Sequence, residues 1–189
     1  MSDVEAQIRE SIEVKERLLA QGGARVVERM AEVVVDALRA GRRLYVCGNG
    51  GSAADSQHIA GELVGRFMKE RAALPCVALT TDTSVLTALG NDYDFDAIYE
   101  RQVEAHVRQG DVLLAISTSG SSPNVLRAVA RAREQGATTL GLAGRDGGRL
   151  AQAVHLCLVV PAQTSPRIQE VHITVAHVLC DLVERRLFA

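Results

Sequence analysis

Residues 46–62, "VCGNGGSAADSQHIAGE", read as the end of a strand, a glycine-rich turn and the opening turns of a helix. Repeated strand–turn–helix units build an α/β fold. A glycine-rich turn at a helix N-terminus also suits a phosphate, because free backbone N–H groups and the helix dipole both favour an anion. The helix carries His58 and Glu62 four residues apart, so the two side chains share one face. By spacing alone this is either a surface pair or half of a metal or proton-transfer site, and it is not the HExxH zinc arrangement.

Working outward, five short apolar runs alternate with helical segments: "RLYVC" (43–47), "PCVALT" (75–80), "DVLLAIS" (111–117), "TTLGLAG" (138–144) and "VHLCLVV" (154–160). Continuous apolar strands separated by helices predict a parallel sheet covered on both faces, a flavodoxin-like three-layer α/β domain. Ahead of it, residues 3–20 align Val4, Ile8, Ile12 and Leu19, and 25–40 align Val26, Met30, Val34 and Leu38, each along one helical stripe. Residues 1–40 are therefore an N-terminal helical pair belonging to the same domain as 41–189. At the other end, Ser165 is expected to cap a helix over 166–187 with Pro166 in its first turn. That helix has two adjacent apolar stripes, one through Ile168, Val171, Val175, Leu179 and Leu182, the other through Ile173, Ala176, Cys180, Val183 and Leu187. Such a helix is central or lies against another subunit, and with the N-terminal pair also needing cover an oligomer is expected.

Composition narrows the classes. The 189 residues are 47% hydrophobic and 23% charged, with a formal charge of −2, which gives no electrostatic reason to expect nucleic acid or an acidic membrane surface. Residues 1–20 lack the apolar core of a signal peptide, and no stretch approaches a membrane span. Cys47, Cys76, Cys157 and Cys180 lie in apolar segments without metal-like spacing and read as reduced core residues of a cytoplasmic protein.

A second loop, "STSGSSPN" (117–124), sets five hydroxyls around one glycine, with Ser122 as a prospective N-cap and Pro123 at the first helical position. Five hydroxyls exceed what one cap uses, so this loop is a second oxyanion site. The run Gly144–Gly148 has no such hydroxyls and reads as a turn. Gly48-x-Gly50-x-x-Ala53 also satisfies a dinucleotide pattern, but about 20 residues on, where that pattern needs an acidic residue for a ribose, the chain reads "RFMKER" (66–71). Asp82 comes too late. Of the remaining histidines, His106, His155 and His172 read as structural, while His177 lies between the apolar and polar arcs of the last helix.

Four segments carry a resemblance: "CGNGGSAADSQHIAGELVGRF", "LTALGNDYDFDAIYERQV", "DVLLAISTSGSSPNV" and "SPRIQEVHITVAHVLCDLVE". Over about residues 3–188 the chain resembles the phosphoheptose isomerases of the sugar-isomerase (SIS) fold. The resemblance implies an aldose–ketose isomerase acting on D-sedoheptulose 7-phosphate at the start of nucleotide-activated heptose synthesis. It implies a homotetramer with active sites between subunits, one zinc ion per subunit and no nucleotide cofactor.

By motif position the zinc ligands would be His58, Glu62, Gln169 and His177. The substrate contacts would be Asn49, Gly50, Gly51, Ser52, Glu62, Asn91, Asp92, Ser117, Thr118, Ser119, Ser122 and Gln169, with Glu62 and His177 catalytic. Gln169 and His177 are eight residues apart, about 12 Å along a helix, so as ligands they would have to converge from both ends of a two-turn segment. The alternative is a non-catalytic SIS relative that associates with the bacterial replication initiator. That relative lacks the glutamate and the second histidine, and both are present here.

Overall fold

The structure, a computed structural model, describes residues 2–188. Two helices, α1 (Asp3–Ala20) and α2 (Gly23–Arg39), precede the alternating part. Then follow β1 (Leu44–Gly48), α3 (Gly51–Val64), β2 (Cys76–Ala78), α4 (Thr83–Asp92), a 3₁₀ turn (Phe95–Ala97) and α5 (Glu100–His106). The chain continues through β3 (Val112–Ser117), α6 (Pro123–Glu134), β4 (Thr138–Gly144), α7 (Gly148–Ala153), β5 (Leu156–Val160) and α8 (Ser165–Leu187). All five expected strands are present and form one parallel sheet in the order β2-β1-β3-β4-β5.

The strands read as unbroken apolar runs because both faces are covered. In β1, Leu44 and Val46 join one hydrophobic cluster while Tyr45 and Cys47 join the other. In β3, Val112, Leu114 and Ile116 face the first cluster, and Leu113 and Ala115 the second. This is the period-two alternation of a strand expressed in apolar residues. The first cluster takes in Ile59 and Leu63 of α3, Met30 and Val34 of α2, Val14 of α1 and the apolar face of α8. The N-terminal pair thus shares the sheet's core, and α3 and α8 lie on the same face of it.

Three local expectations change. The N-cap of α8 is Thr164; Ser165 is already helical and its hydroxyl lies 3.4 Å from Thr118 Oγ1. His155 precedes β5 rather than lying within it, its Nδ1 taken up by the Thr139 N–H at 3.0 Å. The α1 stripe is not buried: Val4, Ile8, Ile12 and Leu19 stay 50–67% exposed while Val14 and Leu18 make the contact with the core. Four apolar side chains thus lie in one line on a solvated face. α8 packs against α2, α3 and the sheet through Ile168, Val171, Val175, Leu179 and Val183, while Thr174 and Val178 stay exposed. The cysteines are free; Cys47, Cys76 and Cys180 are buried, and burial pushes the Cys47 thiol up to about 12.

Candidate active site

The sheet order reverses between β1 and β3: the chain leaves β1 for β2 on one side and β3 for β4 on the other. Loops after such strands diverge and open a crevice at their carboxyl ends, where ligands bind in open α/β sheets. Both candidate oxyanion loops lie there, because Gly48 ends β1 and pairs with Ile116, next to Ser117 at the end of β3.

In the first loop Gly50 takes a φ of 55° and leads into α3, with Gly51 as its first residue and Ser52 buried one step on. The Gln169 amide rests over Gly51, so close that a Cβ there would displace the glutamine side chain. Asn49 is tied sideways. It exchanges two amide hydrogen bonds with Asn124, the Nδ2 of each donating to the Oδ1 of the other at 2.9 and 2.8 Å. The pair locks the two loops together, and Asn124, which the sequence reading passed over, is 1% exposed.

In the second loop the hydroxyls gather as expected. Ser117 and Ser122 approach to 2.9 Å, Ser117 and Ser119 to 3.5 Å, and the Ser121 N–H donates to Ser119 Oγ at 3.2 Å. Ser122 is the N-cap residue of α6 and Pro123 follows in its first turn, but the Ser122 hydroxyl turns to Ser117 rather than back onto the helix. The run Gly144–Gly148 is a turn that forms the loop's wall. Gly120, at φ 65°, lies so close that a Cβ would fall 2.0 Å from the Gly147 carbonyl oxygen, and its own carbonyl accepts from the Leu150 N–H at 2.8 Å.

The chemistry-bearing residues come from two neighbouring helices. On α3 the residues Ser52, Ser56, Ile59 and Leu63 face the core, which leaves His58 and Glu62 on the adjoining face. On α8 the residues Val175, Ala176, Leu179 and Cys180 are buried, and His177 sits half-buried beside them. His58 Nε2 lies 2.8 Å from His177 Nε2 and 3.3 Å from Glu62 Oε1. The two ring nitrogens are thus within hydrogen-bond distance, with the tautomers deciding which donates. His58, Glu62 and His177 thus form a group that could hold a metal ion, with ligand atoms within 4.8 Å of one another.

Two imidazole nitrogens and a carboxylate oxygen are donors that suit zinc. Gln169, the fourth expected ligand, instead rests over Gly51, about two turns back along α3. Asp55, one turn before His58, keeps a buried oxygen without a partner among the described residues. Burial raises its carboxyl pKa while His58 pulls it down.

Asn91 and Asp92 end α4, where every residue is exposed or half-buried, and the Asn91 amide donates to Asp92 at 2.8 Å. Asp82, the residue the dinucleotide reading would need, caps α4 by accepting from the Val85 N–H at 3.0 Å. His172 is fully buried, its Nε2 3.1 Å from the Ala143 carbonyl oxygen, and burial pushes its pKa down to about 4.

Comparison with known proteins agrees with this geometry. A SIS domain family model matches residues 8–144. A phosphoheptose isomerase of Geobacter sulfurreducens is 56% identical over 188 residues, covering 100% of this chain and 99% of the relative. Among solved structures, a phosphoheptose isomerase from Neisseria gonorrhoeae superposes with a TM-score of 0.90 at 44% identity, covering 96% of this chain and 97% of that one. One from Francisella tularensis gives 0.91 at 34% identity, covering 98% and 100%. The chain belongs to the phosphoheptose isomerase family.

Proposed function

We propose that this phosphoheptose isomerase converts D-sedoheptulose 7-phosphate to D-glycero-D-manno-heptose 7-phosphate through a cis-enediol, opening nucleotide-activated heptose synthesis. The observation that carries this is the convergence of His58, Glu62 and His177 from α3 and α8, on helices that adjoin two oxyanion loops. Moving one proton between C1 and C2 needs a base at those carbons and an acid–base group at their oxygens, with no redox cofactor.

Glu62 is the base, and its side chain keeps 25% exposure, open to a ligand. His177 serves the oxygens and ring opening. Ser117, Thr118, Ser119 and Ser122, with the α6 N-terminus, hold the phosphate at the far end of the seven-carbon chain. Asn49, Gly50, Gly51 and Ser52 admit the sugar close to the backbone, while Asn91, Asp92 and Gln169 orient its hydroxyls. His58, Glu62 and His177 would hold a zinc ion, with Gln169 completing the set if it turned from Gly51 towards them. Bound there, the ion supplies Lewis-acid polarisation of the carbonyl or hydroxyl oxygen.

The assembly we propose is a homotetramer with sites between subunits. The uncovered α1 stripe and the unburied α4 support it, and a neighbour covering α4 would enclose Asn91 and Asp92. A cytoplasmic setting is supported by free buried thiols. Among the described residues no helix is long and apolar enough to cross a membrane.

The test is Glu62→Gln, which keeps shape and hydrogen bonding but removes the base. Conversion of sedoheptulose 7-phosphate should slow by about 10²-fold or more while binding persists. Near-parental turnover would reduce Glu62 to a surface partner of His58.

A further inference from the structure

Helices α3 and α8 run side by side in the same direction, and three positions on α8 register against α3. Gln169 lies over Gly51 at the start of α3, and His177 meets His58 midway. Seven residues further, Glu184 reaches the segment that leaves the end of α3. Only the first two belong to the expected site. The third is a buried ion pair, Glu184 with Arg71, each side chain 1% exposed.

The pair organises the whole exit from α3. Glu184 Oε1 accepts from the Met68 and Lys69 N–H groups at 2.8 and 2.7 Å, and its Oε2 from the Phe67 N–H and Arg71 Nε at 3.0 and 3.1 Å. Burial alone would raise the carboxyl's pKa; these donors hold it below the ordinary carboxylate value. Arg71 turns its remaining nitrogens on carbonyls at and just past the end of α3: Leu63 at 2.7 Å, Gly65 at 3.1 Å and that of Glu62 itself at 2.8 Å. The segment so held sets the Phe67 ring 5.9 Å from the His177 ring, tilted by 32°.

We propose that Glu184 and Arg71 are positioning residues of the isomerase site. Together they fix the last turn of α3, which carries Glu62, and seat Phe67 against His177, so that His58, Glu62 and His177 are held at ligand distance before any ligand arrives. A buried pair serving stability alone could sit anywhere in the core. This one closes its hydrogen bonds on the backbone of one of the three converging residues and, through Phe67, on the side chain of another. The inference rests on the reading of those three residues as a metal-holding, catalytic group.

The test uses Glu184→Gln and Arg71→Lys in the full chain, with Co²⁺ as the probe, titrated by its visible absorbance. Thermal unfolding, kcat and KM for sedoheptulose 7-phosphate are measured alongside. Partners of this kind typically change metal affinity or activity by about 10–100-fold. Each variant should therefore bind Co²⁺ about 10-fold or more weakly per folded protein and lose kcat, with KM unchanged, because the clamp does not touch the phosphate loop.

Val129→Ala, in the core on the opposite face of the sheet, is the control. It should lower the melting temperature yet leave Co²⁺ affinity at the parental value. Parental Co²⁺ affinity and kcat in a destabilised Glu184→Gln would overturn the proposal and leave the pair a purely structural one. If the clamp variants do not fold, Phe67→Leu decides: weakened Co²⁺ binding supports the proposal and parental binding overturns it. If the parent itself binds no Co²⁺, the metal reading fails separately, and kcat against KM still decides the positioning role.

Discussion

Gly120→Ala tests whether the phosphate loop is built by interlock with the turn behind it. Gly120 holds φ 65°, a left-handed conformation that costs an alanine about 1–2 kcal/mol. The added Cβ would lie 2.0 Å from the Gly147 carbonyl oxygen and 2.5 Å from its carbon, well inside the 3.4 Å at which ordinary contact begins. Both neighbours are backbone, so no rotamer change relieves the clash and the two loops must part. Parting them also strains the Leu150 N–H to Gly120 carbonyl bond, adding roughly 0.5–1.5 kcal/mol.

The total is about 1.5–3.5 kcal/mol, which for a chain of this size lowers the melting temperature by roughly 3–14 °C. Gly41→Ala isolates the strain term, since Gly41 has φ 71° and a Cβ added there would find nothing within 4 Å; it should cost only about 1–2 kcal/mol. Thermal unfolding with and without sulfate measures both effects. Gly120→Ala should lose the anion's stabilisation as well as baseline stability, whereas Gly41→Ala should keep it. Equal shifts in the two variants, with sulfate stabilising both, would refute the interlock.

Two further outcomes follow from the same structure. Replacing Ser119 and Ser122 together with alanine removes hydrogen bonds to a dianion worth about 1.5–3 kcal/mol each, so affinity for sedoheptulose 7-phosphate should fall by about tenfold to over a hundredfold per residue. Metal content should stay at the parental level; normal substrate binding with lost metal would place the loop at the wrong end of the sugar. His172 titrates near 4 when folded and near 6.5 unfolded, so the unfolded chain binds the extra proton first. Stability contributed by the neutral ring is full above pH 6.5 and declines by up to about 1.4 kcal/mol per pH unit as pH falls towards 4. Urea unfolding of His172→Gln should show a flatter profile across that window, and an unchanged slope would assign the dependence to other groups.

The elements with strong periodicity were legible in the sequence. The runs of β3 and β4 are apolar through their middles, with polar residues only at their ends, and α8 carries two full apolar stripes. The parallel sheet and the long final helix therefore followed from pattern alone. The two loops were legible because glycine and hydroxyl residues concentrate there. What stayed hidden depends on which residues meet across the fold.

Nothing local in "SPN" marks Asn124 as the partner of Asn49, 75 residues away. "RFMKER" read as a basic run until Glu184 arrived from 113 residues further on to bury Arg71. The α1 stripe carried the right period, yet within one chain its apolar line finds no cover. The resemblance supplied the roles of His58, Glu62 and His177, which spacing alone left open.

The most direct test of the central claim, proton transfer by Glu62 through an enediol, is conversion of sedoheptulose 7-phosphate in D₂O followed by NMR. A carboxylate base exchanges the proton it carries with solvent before returning it. Deuterium should therefore appear at C2 of the aldose and at C1 of recovered ketose, with both incorporation and turnover lost in Glu62→Gln. Aldose formed at the parental rate by Glu62→Gln, or by the parent with only protium at C2 as a direct hydride shift would give, would contradict it.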